Sequence, residues 1–158
     1  MTRRRGLIVG VALLAGLVAL GVAYMLGRPT PTDQQKIYAL VAQGQRAVEQ
    51  RNATGLTRLI SRDYFDRTGT TRQQLVGMIV QWMHGGEEVM VVPEISGLDL
   101  RGDFADMSLR VRLWRGNEPS GPGEEYAMAV RLRREGGDWK VVSAEGWAEA
   151  QSDLMSGP

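Results

Sequence analysis

Gly102-Asp-Phe-Ala-Asp-Met-Ser-Leu-Arg-Val-Arg-Leu113 is the stretch that decides the fold. Ala105, Met107, Leu109, Val111 and Leu113 alternate with Asp106, Ser108, Arg110 and Arg112, the period-two pattern of an antiparallel strand with one face in a core and one in water. Gly102-Asp103 is a tight turn, so an earlier strand folds back on this one. That strand runs from Glu87 through Val92 and from Ile95 to Arg101, with a bulge or bend expected at Pro93, which cannot donate to a ladder. Downstream, a loop rich in glycine and proline (Arg115 to Gly123) leads to Tyr126, Met128, Val130 and Leu132, which alternate with polar residues including Arg131 and Arg133. Gly136-Gly137-Asp138 then turns the chain into a last strand, Trp139 to Ala148. The sum is a meander of about four strands with one apolar face.

Three helices precede it. Thr32 with Gln35 forms a capping box, and Ile37, Leu40, Val41, Gly44, Ala47 and Val48 follow at helical spacing. Asn52 caps a short second helix carrying Leu56, Leu59 and Ile60, and Ser61 to Tyr64 turns the chain. Asn52-Ala53-Thr54 also spells a glycosylation sequon, for which the cap is the simpler explanation. Thr70 with Gln73 opens a third helix with a stripe of Leu75, Val76, Ile79, Val80, Trp82 and Met83, and Gly85-Gly86 stops it. Helices followed by a one-faced antiparallel sheet make an α+β domain in which the helices cover the apolar face.

The 158 residues leave room for one such domain and a membrane segment. From Gly6 to Gly27 no residue is charged, a length sufficient for a hydrocarbon layer of about 30 Å. Arg3, Arg4 and Arg5 before it and Tyr24 near its far end predict a retained single-pass helix, N-terminus cytoplasmic, with the domain extracytoplasmic at the cell membrane; a signal peptide cleaved near Ala19 and Gly21 is the alternative, against which the length of the apolar run argues. The expected organisation is 1–5 basic terminus, 6–27 transmembrane helix, 28–32 linker (RPTPT), 33–150 domain and 151–158 tail. After Arg28 the chain carries 15 basic residues (19 less Arg3, Arg4, Arg5 and Arg28) against 18 acidic ones, which argues against nucleic acid as a partner. The absence of cysteine excludes disulfides, thiolate metal sites and cysteine nucleophiles.

Residues 33 to 150 resemble the nuclear transport factor 2-like superfamily, a cone of helices over a curved sheet. The likeness is carried by the early helix, Leu56-x-x-Leu59-Ile60-Ser61-x-Asp63-Tyr64-Phe65, the Gly102-Asp103-x-Ala105 hairpin and Asp138-Trp139-Lys140-Val141-Val142. The superfamily includes ketosteroid isomerases, polyketide cyclases, dehydratases and non-catalytic binding modules, so the resemblance does not select a function. In members similar to ketosteroid isomerase an Asp is the base while a Tyr and a protonated acid hold an oxyanion. Tyr38 and Tyr126 are the tyrosine candidates, but no aspartate occupies a matching apolar strand position. In this superfamily the sheet face often mediates dimers, and the anchor-plus-cone layout is similar to inner-membrane scaffold proteins of type IV secretion systems.

An enzyme of this shape needs a titratable group inside the apolar cone. Glu145 shares alternation with Trp139, Val141 and Trp147 and is the inward-acid candidate, although a charged side chain there more often meets solvent. His84 is a candidate base at the cone's mouth; as the last side chain before two glycines it also simply suits a helix C-terminus. Asp63, Asp66, Asp99, Asp103 and Asp106 fall in turns or on the polar strand face. No histidine cluster, calcium-type loop or phosphate-cradling glycine loop is present, so no metal and no cofactor is expected. Met78, Met107 and Met128 with Trp82 and Trp147 are candidate pocket residues, joined by Met83 and Met90 in the same methionine-rich set. Arg110, Arg112, Arg131 and Arg133 share the solvent face of neighbouring strands and are candidates for a protein partner or a homodimer. The expected function is a non-catalytic, membrane-tethered binding or scaffold domain for a protein partner or small apolar ligand; a small isomerase- or cyclase-type enzyme is the alternative.

Overall fold

The computed structural model describes residues 30–85, 88–116, 119 and 121–146. The apolar run 6–27 and the tail lie outside the described residues, and no helix among the described residues is long and apolar enough to cross a membrane. Three helices, α1 (Asp33–Glu49), α2 (Ala53–Thr57) and α3 (Arg72–Gly85), precede four strands, β1 (Val89–Arg101), β2 (Phe104–Arg115), β3 (Glu124–Glu135) and β4 (Asp138–Glu145).

α1 begins directly after Thr32 and buries Ile37, Leu40 and Ala47. Its end is a Schellman arrangement: Arg51 N–H donates to the Val48 carbonyl (3.0 Å) and Asn52 N–H to that of Ala47 (2.8 Å). Arg51 takes the left-handed conformation this requires (φ 53°), a position that usually selects glycine. Its guanidinium reaches across to the Met83 carbonyl at the end of α3 (Nη2, 2.6 Å). Asn52 caps α2 by accepting from Gly55 N–H at 2.8 Å. The capping box of the third helix lies one residue later than Thr70 and Gln73: Thr71 N–H donates to Gln74 Oε1 (2.8 Å), and α3 starts at Arg72.

The sheet is a plain antiparallel meander in the order β1-β2-β3-β4. Gly102-Asp103 and Gly136-Gly137 are its two-residue turns, with Arg101 facing Phe104 and Glu135 facing Asp138. Pro93 does not break β1; it sits in register opposite Val111, tolerated because β1 is an edge strand. The irregularity falls at Ser96, between the pairs Ile95–Leu109 and Gly97–Ser108. A second bulge lies at Val142, between Leu132–Val141 and Arg131–Ser143. The free edge of β4 is occupied by the chain leaving α2, where Ser61 N–H donates to the Val141 carbonyl (2.9 Å) and Phe65 N–H to that of Val142 (3.0 Å).

The inner face of the sheet and the helices enclose one core cluster around Ile37, Leu40, Ile60, Tyr64, Met107, Leu132 and Trp139. A smaller cluster, Val89, Val91, Leu113 and Tyr126, lies at the other end of β1 and β2. Trp139 is pinned from outside: its indole donates to Asp33 Oδ1 (3.2 Å), and the Arg134 guanidinium stacks 5.2 Å from its ring centre.

Candidate functional site

Between the helices and the inner face of the sheet lie two adjoining apolar hollows that open to solvent. One, of about 280 Å³, lies beneath α1 and is bordered by Leu40, Val41, Val48, Met107, Leu109 and Met128. The other, of about 300 Å³, lies beneath α3 and is bordered by Leu75, Met78, Ile79, Trp82, Leu113 and Met128. Val48, Leu56, Ile60, Val91, Met128, Val141 and Ala144 border both, so we treat them as two lobes of one chamber. Among the described residues, Gln45 and Tyr64 are the polar side chains on its wall, and no carboxylate, histidine, lysine or arginine lines either lobe.

The Tyr64 hydroxyl donates to Asp66 Oδ2 (3.1 Å). Asp66 is 2% exposed, and its Oδ1 accepts from Thr68 N–H (3.0 Å), Thr68 Oγ1 (2.7 Å) and Thr70 N–H (2.9 Å). Through Oδ1 this carboxylate holds the loop that enters α3, while Oδ2 takes the hydroxyl of Tyr64 at the chamber wall. A tyrosine–aspartate pair beside an apolar cavity therefore serves here as a structural knot.

The sequence candidates separate cleanly on this geometry. Met78, Trp82, Met107 and Met128 border the chamber, whereas Trp147 lies outside the described residues. Tyr38 is 48% exposed on α1 and does not reach the chamber. Tyr126 is a buried member of the smaller cluster whose hydroxyl donates to Glu124 (2.8 Å). His84 is exposed, with Nδ1 2.7 Å from the Val80 carbonyl. Glu145 faces away from the chamber: the bulge at Val142 reverses the alternation, so Ala144 enters the core and Glu145 pairs with Arg67 (3.0 Å). None of the four enzyme candidates thus meets the chamber.

On the opposite face of the sheet the four arginines are matched by carboxylates. Arg110 and Arg112 share Glu125 (3.3 and 3.0 Å), Arg131 pairs with Asp106 (2.8 Å), and Arg133 holds Asp63 (2.7 Å) and Glu135 (2.6 Å). The Arg131 hydrogen bond holds the Asp106 carboxyl below the usual range. A hydrogen bond from Ser61 (2.6 Å), aided by Arg133, does the same for Glu135. This face is a lattice of exposed ion pairs, each worth little, and it presents no unbalanced positive patch.

In the sequence, neither Tyr64 nor the β4 residues Val141 and Ala144 stand out as site residues. Asp66-x-Thr68-Gly69-Thr70, an aspartate with threonines two and four residues on, is the signal that identifies the knot.

No protein-family model matches the sequence, and no curated protein does. Solved structures do match. A nuclear transport factor 2-like protein from Cytophaga hutchinsonii is 14% identical with a TM-score of 0.58, over 72% of this chain and 96% of that one. A Nostoc punctiforme domain of unknown function with a cystatin-like fold is 14% identical with a TM-score of 0.60, over 82% and 90%. The domain has the nuclear transport factor 2-like fold. A third such structure, from Streptomyces avermitilis and described as a candidate dehydratase of this family, is 15% identical with a TM-score of 0.60, over 71% and 93%. At these identities the likeness concerns the fold, and the nuclear transport factor 2-like cone takes its function from what lines it.

Proposed function

We propose that this chain is a membrane-anchored, extracytoplasmic binding protein whose cone holds a small apolar ligand without transforming it. The observation that supports this reading is the chamber wall: two lobes of about 280 and 300 Å³ bordered mostly by aliphatic, methionine and tryptophan side chains, with no carboxylate, histidine, lysine or arginine among the described residues. Such a wall rewards removal of hydrocarbon from water and offers nothing to move a proton. The anchor rests on the uncharged run from Gly6 to Gly27. An isomerase or cyclase would need a titratable group where Met107, Met128 and Val141 stand, and a partner reading would need outer-face charge that the arginine–carboxylate pairs have already consumed.

Selective ¹³C labelling of the methionine methyls tests this on the full-length protein in lipid nanodiscs. Titration with n-alkanols of increasing length is expected to shift Met107 and Met128, which border the chamber, and to leave Met90 on the other face of β1 unmoved. Affinity should rise by about fourfold per methylene, following about 0.8 kcal/mol for each CH₂ buried, until the chamber is full. Shifts confined to Met90, or no dependence on chain length, would reject the reading.

A further inference from the structure

Charge is divided unevenly along the domain. From Asp33 to Gly85 the chain carries seven basic residues against four acidic ones, and from Gly86 onward eight against fourteen. The four carboxylates of the helical part are engaged elsewhere: Asp33 and Asp63 with the sheet arginines Arg134 and Arg133, Glu49 with the Gln45 amide, and Asp66 inside its loop. Several helical cations are left without a counter-charge, and four of them meet at the end of α2. Lys140 Nζ donates to the Arg58 carbonyl (2.8 Å), and Arg72 Nη2 to the adjacent Thr57 carbonyl (3.5 Å). The Arg58 side chain is exposed, and so is that of Arg62, which follows Ser61, whose N–H is bonded to the Val141 carbonyl next to Lys140. Among the described residues none of these four cations is ion-paired, and Arg72 Nε is buried without an acceptor.

The last carbonyls of α2 hold the Arg72 and Lys140 head groups in place but supply no full counter-charge. Four like charges at one corner favour an anionic surface broad enough to meet them together. The outer face of the sheet makes no such demand, since each of its arginines is already matched by a carboxylate. A lipid surface is the occupant this arrangement favours: residues 28–32, the five between the uncharged run and α1, reach roughly 18 Å at full extension, so the bilayer stays beside the domain at all times. On its other side α2 is chamber wall, with Leu56 and Ile60 bordering both lobes. We propose that Arg58, Arg62, Arg72 and Lys140 dock the domain on the anionic lipid head groups of the bilayer that anchors it, with α2 between those head groups and the chamber. The inference rests on the membrane-anchor reading above and adds the face that meets the lipid and the charge of that lipid.

Paramagnetic relaxation from a gadolinium-chelating lipid tests this on the full-length chain in nanodiscs of phosphatidylcholine, with and without phosphatidylglycerol. In the anionic discs the backbone amides of Arg58, Arg62 and Lys140 are expected to relax fastest, and those of Ser108 and Arg110 on the outer sheet face to stay unaffected. Neutral discs or raised salt should remove the difference. Arg58→Gln/Arg62→Gln, which alters two exposed side chains, should lower the ratio of docked to undocked protein by about fivefold for each charge removed, with thermal melting unchanged. Arg110→Gln/Arg112→Gln removes the same charge from the sheet face and should leave docking as it was. Equal relaxation in neutral and anionic discs, or equal loss of docking in the two double variants, would overturn the inference. Perturbation of the same amides by soluble polyglutamate, with none from lipid charge, would assign the corner to an acidic protein and overturn it as well. In these cases the anchor stands and the inference falls alone; a chain recovered outside the discs would defeat the anchor reading, and the inference with it.

Discussion

α1 and α3 cover the same sheet and are held in opposite ways. α1 sinks Ile37, Leu40 and Ala47 into the core, and its first turn is tied to the last strands through Asp33, Arg134 and Trp139. α3 buries Met83 alone and is fastened at its two ends, by the Asp66 knot that leads into it and by Arg51 on the Met83 carbonyl. Between those ends its apolar side chains border open space. Each helix borders one lobe of the chamber, of about 280 and 300 Å³, but α1 is anchored by three buried side chains and α3 by one. The apolar moment of a helix is compatible with either outcome, because the distance between two layers is set by contacts elsewhere.

The largest expected effect separates the two helices directly. Ile37→Ala should cost about 3 kcal/mol, from lost transfer energy and an unrelaxed cavity, whereas Ile79→Ala, which enlarges space already open, should cost about 1 kcal/mol. Urea denaturation of both variants measures the difference; equal losses would break the comparison. Next in size, Asp66→Ala should cost about 2 kcal/mol by leaving two backbone N–H groups of the loop without their acceptor and removing one partner of the Tyr64 hydroxyl. Its sharper signature is local, with α3 amides exchanging faster while those of α1 stay protected.

That knot also shows where the sequence ran out. Thr70-x-x-Gln73 and Thr71-x-x-Gln74 are equally good capping boxes, and only the use of the Thr70 N–H by Asp66 hands the cap to Thr71. The meander, its two glycine turns and the inward faces of β2 and β3 were legible, because strict alternation admits one register relative to a core. Glu145 was not, since a one-residue bulge at Val142 reverses the parity of everything after it and leaves no mark in the alternation before it. The methionines of the chamber were legible as a set, but the empty volume beside them was not, being a property of helix placement.

A smaller effect of opposite sign is expected on the outer surface of α3. Gly77→Ala places a methyl in open space and should stabilise the protein by about 0.5–1 kcal/mol by raising helix propensity. The same variant should slow ligand exchange if α3 is the movable wall. Smallest is the contribution of the outer-face ion pairs. Asp106 and Glu135 ionise more readily folded than unfolded, below their ordinary values of 3.8 and 4.5. The stability they add is complete above those values and is lost as the pH falls through the lowered folded ones. Thermal melts across that acid range should show a modest decline that salt reduces, more for the exposed Arg131–Asp106 pair than for the half-buried Arg133–Glu135 pair. An Asp106→Asn/Glu135→Gln variant should flatten it.

Amide hydrogen exchange on the full-length chain in nanodiscs, with and without decan-1-ol, tests the account most directly. Residues 72–85 of α3 are expected to exchange faster than residues 33–49 of α1 in the free protein, and the alkanol should slow exchange in both helices, more so in α3. Equal protection of the two helices, untouched by the alkanol, would contradict an apolar chamber bordered by α3.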